Sequence, residues 1–146
     1  GATPTRKILY AARDVYTTLA ERFQAGRTID RSTNQPWLVG FRLTRDVSVL
    51  DLTSAWPTRA GASMVIASGQ HARARRWSQR IYEDYPTIEG LYYPSSMYGN
   101  RPSVALYERG EMAMPAAPSF NRALADPLLD GVVATASYLL RYDVRP

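Results

Sequence analysis

The residues best suited to chemistry cluster in one segment, Gly90-Leu91-Tyr92-Tyr93-Pro94-Ser95-Ser96-Met97-Tyr98-Gly99-Asn100, with Arg101 directly after it. Hydroxyl groups donate and accept hydrogen bonds without carrying charge, and a guanidinium grips phosphate oxygens in pairs. The set therefore suits a phosphate-bearing ligand. Its Pro/Ser/Gly/Asn centre precedes an apolar run, Val104-Ala105-Leu106-Tyr107, so the stretch predicts strand, turn, strand. The same composition is compatible with an ordinary hairpin whose tyrosines pack at its base. Tyr92 and Tyr93 alternate across the strand, so one of the two faces inward. Tyr93, two residues before Ser95, is the one expected on the site side.

Elements must hold this segment in place. Lys7 to Ala12 reads as a short buried strand. Asp14 fits as an N-cap, followed by a helix from Val15 to about Ala25 that Gly26 ends. Tyr16, Leu19, Ala20 and Phe23 form its apolar stripe, with Glu21 beside the stripe toward Thr17 and Thr18. Thr28 to Pro36 is polar and reads as a loop. Trp37 to Thr44 and Val47 to Leu52 read as strands. A short helix is expected over Ala62 to Ala67 and a longer one from His71 to Tyr85. On the longer one Ala74, Trp77, Ile81 and Tyr85 should face the core, while Arg73, Arg76 and Arg80 share another face. Pro115 to Pro118 marks a loop, Asp126-Pro127 a helix start, and Ser137 to Tyr142 a closing strand. Helices and strands intermix without βαβ repetition. The expected class is α+β, a mixed and mainly antiparallel sheet with flanking helices.

The 146 residues fit one domain, 1–146, with a sizeable core. At 45% hydrophobic and 21% charged, the chain reads as globular. It has no cysteine, which excludes disulfides and thiolate chemistry. No apolar run is long enough to span a membrane, and no signal peptide is visible. The net charge of +5, with 18 Lys+Arg against 13 Asp+Glu, fits nucleic acid, a phosphorylated small molecule or an acidic protein. There is no lysine-rich tail, so a dedicated nucleic-acid arm is not expected. His71 is the one histidine and reads as capping or exposed; no metal site is expected. No phosphate-loop, dinucleotide-fold or nucleophile-elbow pattern occurs.

Three blocks together resemble the RES domain, the toxin half of bacterial RES–Xre toxin–antitoxin systems. The first is Leu9-Tyr10-Ala11-Ala12-Arg13-Asp14 running into Thr18-Leu19-Ala20-Glu21, a tyrosine on a strand and a glutamate inside the next helix. The second is Val49-Leu50-Asp51-Leu52-Thr53. The third is Gly90 to Ser95 with the strand Val104 to Tyr107. The family is named for an arginine, a glutamate and a serine. Glu21 and Ser95 match the last two. The family's arginine normally lies upstream of the tyrosine strand, and Arg6 stands too close to Tyr10 to be it. Either a natural N-terminal section beyond this sequence is therefore expected, or a divergent or inactive member.

The resemblance implies NAD as substrate and a fold similar to ADP-ribosyltransferases. It implies that the chain degrades NAD by hydrolysis or by transfer to phosphate, or ADP-ribosylates a protein target. It also implies a bacterial cytoplasmic setting, the host's or a target cell's, and restraint by a helix-turn-helix (Xre-type) antitoxin. Contact with nucleic acid is then expected only through that antitoxin. Cleavage of the nicotinamide–ribose bond builds positive charge on the ribose, which a carboxylate stabilises. Glu21 is the candidate, against the reading of a solvated helix glutamate. Ser95 is expected to bond a phosphate or the nicotinamide amide, with Ser96 as a weaker neighbour. Tyr10 offers a ring for stacking and a hydroxyl for ribose or glutamate. Arg13 is the candidate for the pyrophosphate, against the reading of a surface arginine, and Tyr93 is placed on the site side. The reading from another class is a basic, aromatic binding module without catalysis.

Overall fold

The computed structural model describes residues 8–53, 81–95, 97–99 and 101–146. Its main sheet has four strands in the order β1-β6-β5-β4. These are β1 (Ile8–Ala12), β4 (Val49–Asp51), β5 (Gly90–Pro94) and β6 (Pro102–Tyr107). β6 runs antiparallel to both neighbours, and β4 lies parallel to β5. Two ribbons stand apart from it. β2 (Thr28–Asp30) pairs in parallel with β8 (Asp143–Arg145), and β3 (Trp37–Gly40) pairs antiparallel with β7 (Phe120–Ala123). Helix α1 (Val15–Arg22) follows β1, and helix α2 (Asp130–Leu140) precedes β8. The class is α+β with a mixed, mainly antiparallel sheet and flanking helices, as the sequence leads one to expect.

Local signals place the first elements. Asp14 caps α1 through its carboxylate, which accepts from Thr17 N at 2.9 Å and Thr17 Oγ1 at 2.7 Å. Leu19, Ala20 and Phe23 are buried as the stripe requires. Thr17 is buried too, so this side of the helix is not the polar face the sequence suggests. The helix ends at Arg22, earlier than expected. Arg27, with φ of 50°, takes the left-handed position, and Gly26 does not.

Two apolar clusters result. One joins α1 to α2 through Leu19, Phe23, Ile29, Leu129, Val133 and Tyr142. The other packs Leu52, Ile81, Leu91, Ala105 and Tyr107 on one face of the main sheet. Gly90 is required where β5 crosses close to β6: a Cβ there would lie 2.5 Å from the Ala105 carbonyl oxygen.

Several expectations are corrected. Ser137 to Leu140 is helical, because the apolar run continues α2 until Arg141 turns left-handed at φ of 58°; the closing strand is Asp143–Arg145. Thr28–Asp30 is a strand and not loop, with Ile29 fully buried. The strand from Trp37 stops at Gly40 and pairs with β7, and the next one is confined to Val49–Asp51. Tyr85 is exposed. The helix expected over Ala62 to Ala67, most of that from His71 to Tyr85, the arginine stripe of Arg73, Arg76 and Arg80, and Ser96 lie outside the described residues. Residues 81–84 are helical.

Candidate functional site

The register of the main sheet decides which side chains share a face. Tyr93 lies opposite Ser103, and Ser103 opposite Ala12; Leu91 lies opposite Ala105, and Ala105 opposite Tyr10. Cross-strand partners point the same way, so Tyr10, Tyr93 and Ser103 project from one face. Helix α1 packs against β1 and β6 and brings Glu21 over that face. Between them opens a cleft of about 870 Å³ whose lining includes Tyr10, Glu21, Tyr93 and Ser103. Trp37, 56% exposed, stands at its rim on β3, with Leu38 next to it.

Ser95 begins the turn after β5. Its backbone N–H donates to the Arg101 carbonyl at 2.8 Å, closing the loop, and Gly99 supplies the positive φ of 55° that the turn needs. Ser95 is fully buried, and its hydroxyl donates to Glu21 Oε1 at 2.5 Å. The Ser95 Oγ in turn accepts from Met97 N at 3.2 Å. Gln24 Nε2 reaches the other Glu21 oxygen, Oε2, at 3.3 Å, and the Glu21 carbonyl at 3.0 Å. Both carboxylate oxygens are thus held, one from the hairpin and one from the helix end. Arg101 fastens the hairpin to α1 from outside: its guanidinium lies 4.8 Å over the Tyr98 ring and 4.0 Å from Asp14 Oδ2.

The Tyr93 phenol is pushed up from its ordinary range, first by burial and then by the nearby Glu21 and Tyr10. Ser103 pulls slightly the other way, yet the two hydroxyls are not in hydrogen-bond geometry. Ser103 Oγ, on a residue 1% exposed, has no hydrogen-bond partner among the described residues. Tyr93 is a proton-bearing donor at neutral pH.

The structure brings Tyr10, Glu21, Tyr93 and Ser95 together. Arg13 lies elsewhere. It is exposed, donates from Nη1 to the Tyr92 hydroxyl at 3.3 Å, and is absent from the cleft lining. Arg22 and Arg27, which sequence reasoning passed over, do line the cleft. Among the described residues neither forms an ion pair with a carboxylate. Ser103 was passed over as well. The alternation of the predicted strand and its pairing with Tyr93 were the signals that could have found it.

Among the described residues no group of three or more His, Asp or Glu side chains is placed to hold a metal ion. No helix among them is long and apolar enough to cross a membrane. No curated protein and no solved structure matches the chain. The family model of the RES domain matches residues 2–127. That span contains every residue that lines the cleft, together with Ser95. With the glutamate and serine joined by a hydrogen bond inside that span, the chain belongs to the RES domain family.

Proposed function

We propose that the protein consumes NAD by cleaving its nicotinamide–ribose bond. The observation that carries this reading is the Glu21 carboxylate, fixed by Ser95 and Gln24 at the wall of a cleft large enough for a nucleotide. As the glycosidic C–N bond breaks, its electron pair leaves with the nicotinamide nitrogen and positive charge develops at C1′ and the ring oxygen. A preorganised carboxylate stabilises that charge at the moment it appears. Water then adds at C1′, giving ADP-ribose and a proton. Phosphate adding at the same anomeric carbon instead gives ADP-ribose phosphorylated there.

In this reading Ser95 is a positioning residue for Glu21, because its single proton is committed to the carboxylate. Tyr10 and Tyr93 supply rings and phenol donors for the ribose. Arg22 and Arg27, both on the cleft lining, take the pyrophosphate role that the sequence suggested for Arg13. Family membership supports a toxin role and an ADP-ribosyltransferase-like ancestry. It also supports restraint by an Xre-type antitoxin in the bacterial cytoplasm, the host's or a target cell's. Trp37 and Val39, exposed on the same face of β3, offer such a partner an apolar foothold.

Incubation with NAD, with and without phosphate, tests the reading. Free nicotinamide is expected from the wild-type protein and not from Glu21→Gln. A phosphorylated ADP-ribose identifies phosphorolysis. Label retained on a protein identifies ADP-ribosyl transfer. Absence of nicotinamide release under all conditions leaves a binding module without catalysis and refutes the proposal.

A further inference from the structure

We propose that Ser103 is the residue that binds the carboxamide of nicotinamide in the cleft, an inference that rests on the NAD-cleaving reading above. Ser103 Oγ is buried and unpartnered among the described residues, and its residue lines the cleft. A buried hydroxyl without a partner destabilises the fold that carries it, so its place at the cleft wall is accounted for by a ligand that completes its bonds. Ser95 cannot serve in its stead, since its proton goes to Glu21.

The surroundings select the ligand group. Ala12, Leu19, Leu38, Met97 and Leu124 make much of the cleft lining apolar, which suits a flat aromatic ring carrying one polar handle. A carboxamide both accepts from and donates to a hydroxyl, and it brings no charge. An anionic group is disfavoured here, because Ser103 is the cross-strand partner of Tyr93, which already feels the Glu21 carboxylate. A ring held by its amide at Ser103 lies in the same cleft that Glu21 lines, where its glycosidic bond is open to the carboxylate. The leaving group is then oriented by one serine while the other fixes the carboxylate.

The test is calorimetric titration of nicotinamide, with nicotinic acid as the charged control, into the wild-type protein and Ser103→Ala. Thermal melting and NAD turnover are measured on both. Nicotinamide is expected to bind the wild type better than nicotinic acid does, and to bind Ser103→Ala about tenfold more weakly. The melting temperature of Ser103→Ala is expected to be unchanged or higher, since the substitution removes an unsatisfied group. A serine needed for folding would instead lower it. Equal nicotinamide binding by the two proteins, no binding by the wild type, or a preference for nicotinic acid overturns the assignment. Nicotinamide binding that depends on Ser103 in a protein that never releases nicotinamide from NAD overturns the proposed reaction and supports the contact. NAD cleavage with the same KM in both proteins, together with equal inhibition by nicotinamide, overturns the contact and leaves the reaction standing.

Discussion

Ser95 and Glu21 lie 74 residues apart in the chain and meet through a 2.5 Å hydrogen bond from hydroxyl to carboxylate. The bond joins the start of the β5–β6 turn to helix α1 at the cleft. Helix and hairpin therefore set the position of the carboxylate jointly. Glu21→Gln keeps the shape and an oxygen that accepts from Ser95, loses the bond from Gln24 Nε2 because an amide NH2 does not accept, and removes the charge. NAD cleavage is expected to fall by about 10²-fold or more, as for loss of a transition-state electrostatic contact, with little change in melting. Nicotinamide release and a thermal melt check both halves.

Ser95→Ala separates position from charge. The carboxylate stays but loses one anchor, and Met97 N loses its acceptor. A stability loss of about 1–2 kcal/mol is expected, or a few degrees in melting temperature. kcat is expected to fall about tenfold with little change in KM, because the misplaced group acts on the transition state. A change confined to KM would assign Ser95 to substrate binding instead.

The raised Tyr93 phenol has a consequence at alkaline pH. The folded protein holds this proton above the ordinary tyrosine value of about 10, where the unfolded chain releases it. Its stabilising contribution is thus complete below that ordinary value and is lost as pH rises toward the folded one. Tyr142 shifts the same way through burial. Phenolate absorbance should show a late step that Tyr93→Phe removes, and Tyr93→Phe should be less sensitive than wild type to unfolding by alkali.

At acid pH the sign reverses. Arg45 grips Glu89 with two bonds, at 3.1 and 2.6 Å, and Ser48 N adds a third at 3.1 Å, which lowers the Glu89 carboxyl below its usual value. That contribution is present above the ordinary glutamate value of about 4.3 and fades as pH falls through the folded one. Glu89→Gln should flatten the loss of stability between neutral and acid pH, measured by denaturant titration at each pH.

Gly90→Ala tests the hairpin. The new methyl would fall 2.5 Å from Ala105 O and 3.3 Å from Leu106 Cα, both backbone atoms that cannot step aside. A loss of about 2–3 kcal/mol is expected by chemical denaturation, together with activity, because Tyr93 and Ser95 ride on the displaced strand.

The sequence disclosed features whose cause is local. Asp14 stands where a cap belongs, the turn residues after Tyr93 announce the hairpin, and Leu19, Ala20 and Phe23 recur at helical spacing. Pairings between remote segments were hidden. Ile29 is an isolated apolar residue until Val144 lies opposite it, and Trp37 has no visible partner until β7 reaches it. The run Ser137 to Leu140 carries no period that separates strand from helix. At the site, residue type singled out Glu21, Ser95 and Tyr10, and family resemblance joined them. Only register and burial could expose Ser103, an ordinary strand serine by composition. Arg13 has the charge for a pyrophosphate contact, but it lies with Tyr92, outside the cleft lining.

The family match stops at residue 127, and α2 and β8 lie beyond it. Yet Val133 and Ala136 of α2 wedge behind Leu19 and Phe23, and the Tyr142 hydroxyl donates to the Ala20 carbonyl at 3.0 Å, one residue before Glu21. A chain trimmed at the edge of the recognisable segment would keep every side chain proposed to act and forfeit the backstop that steadies the glutamate's helix. The border drawn by ancestry thus cuts through the mechanical unit on which the carboxylate leans.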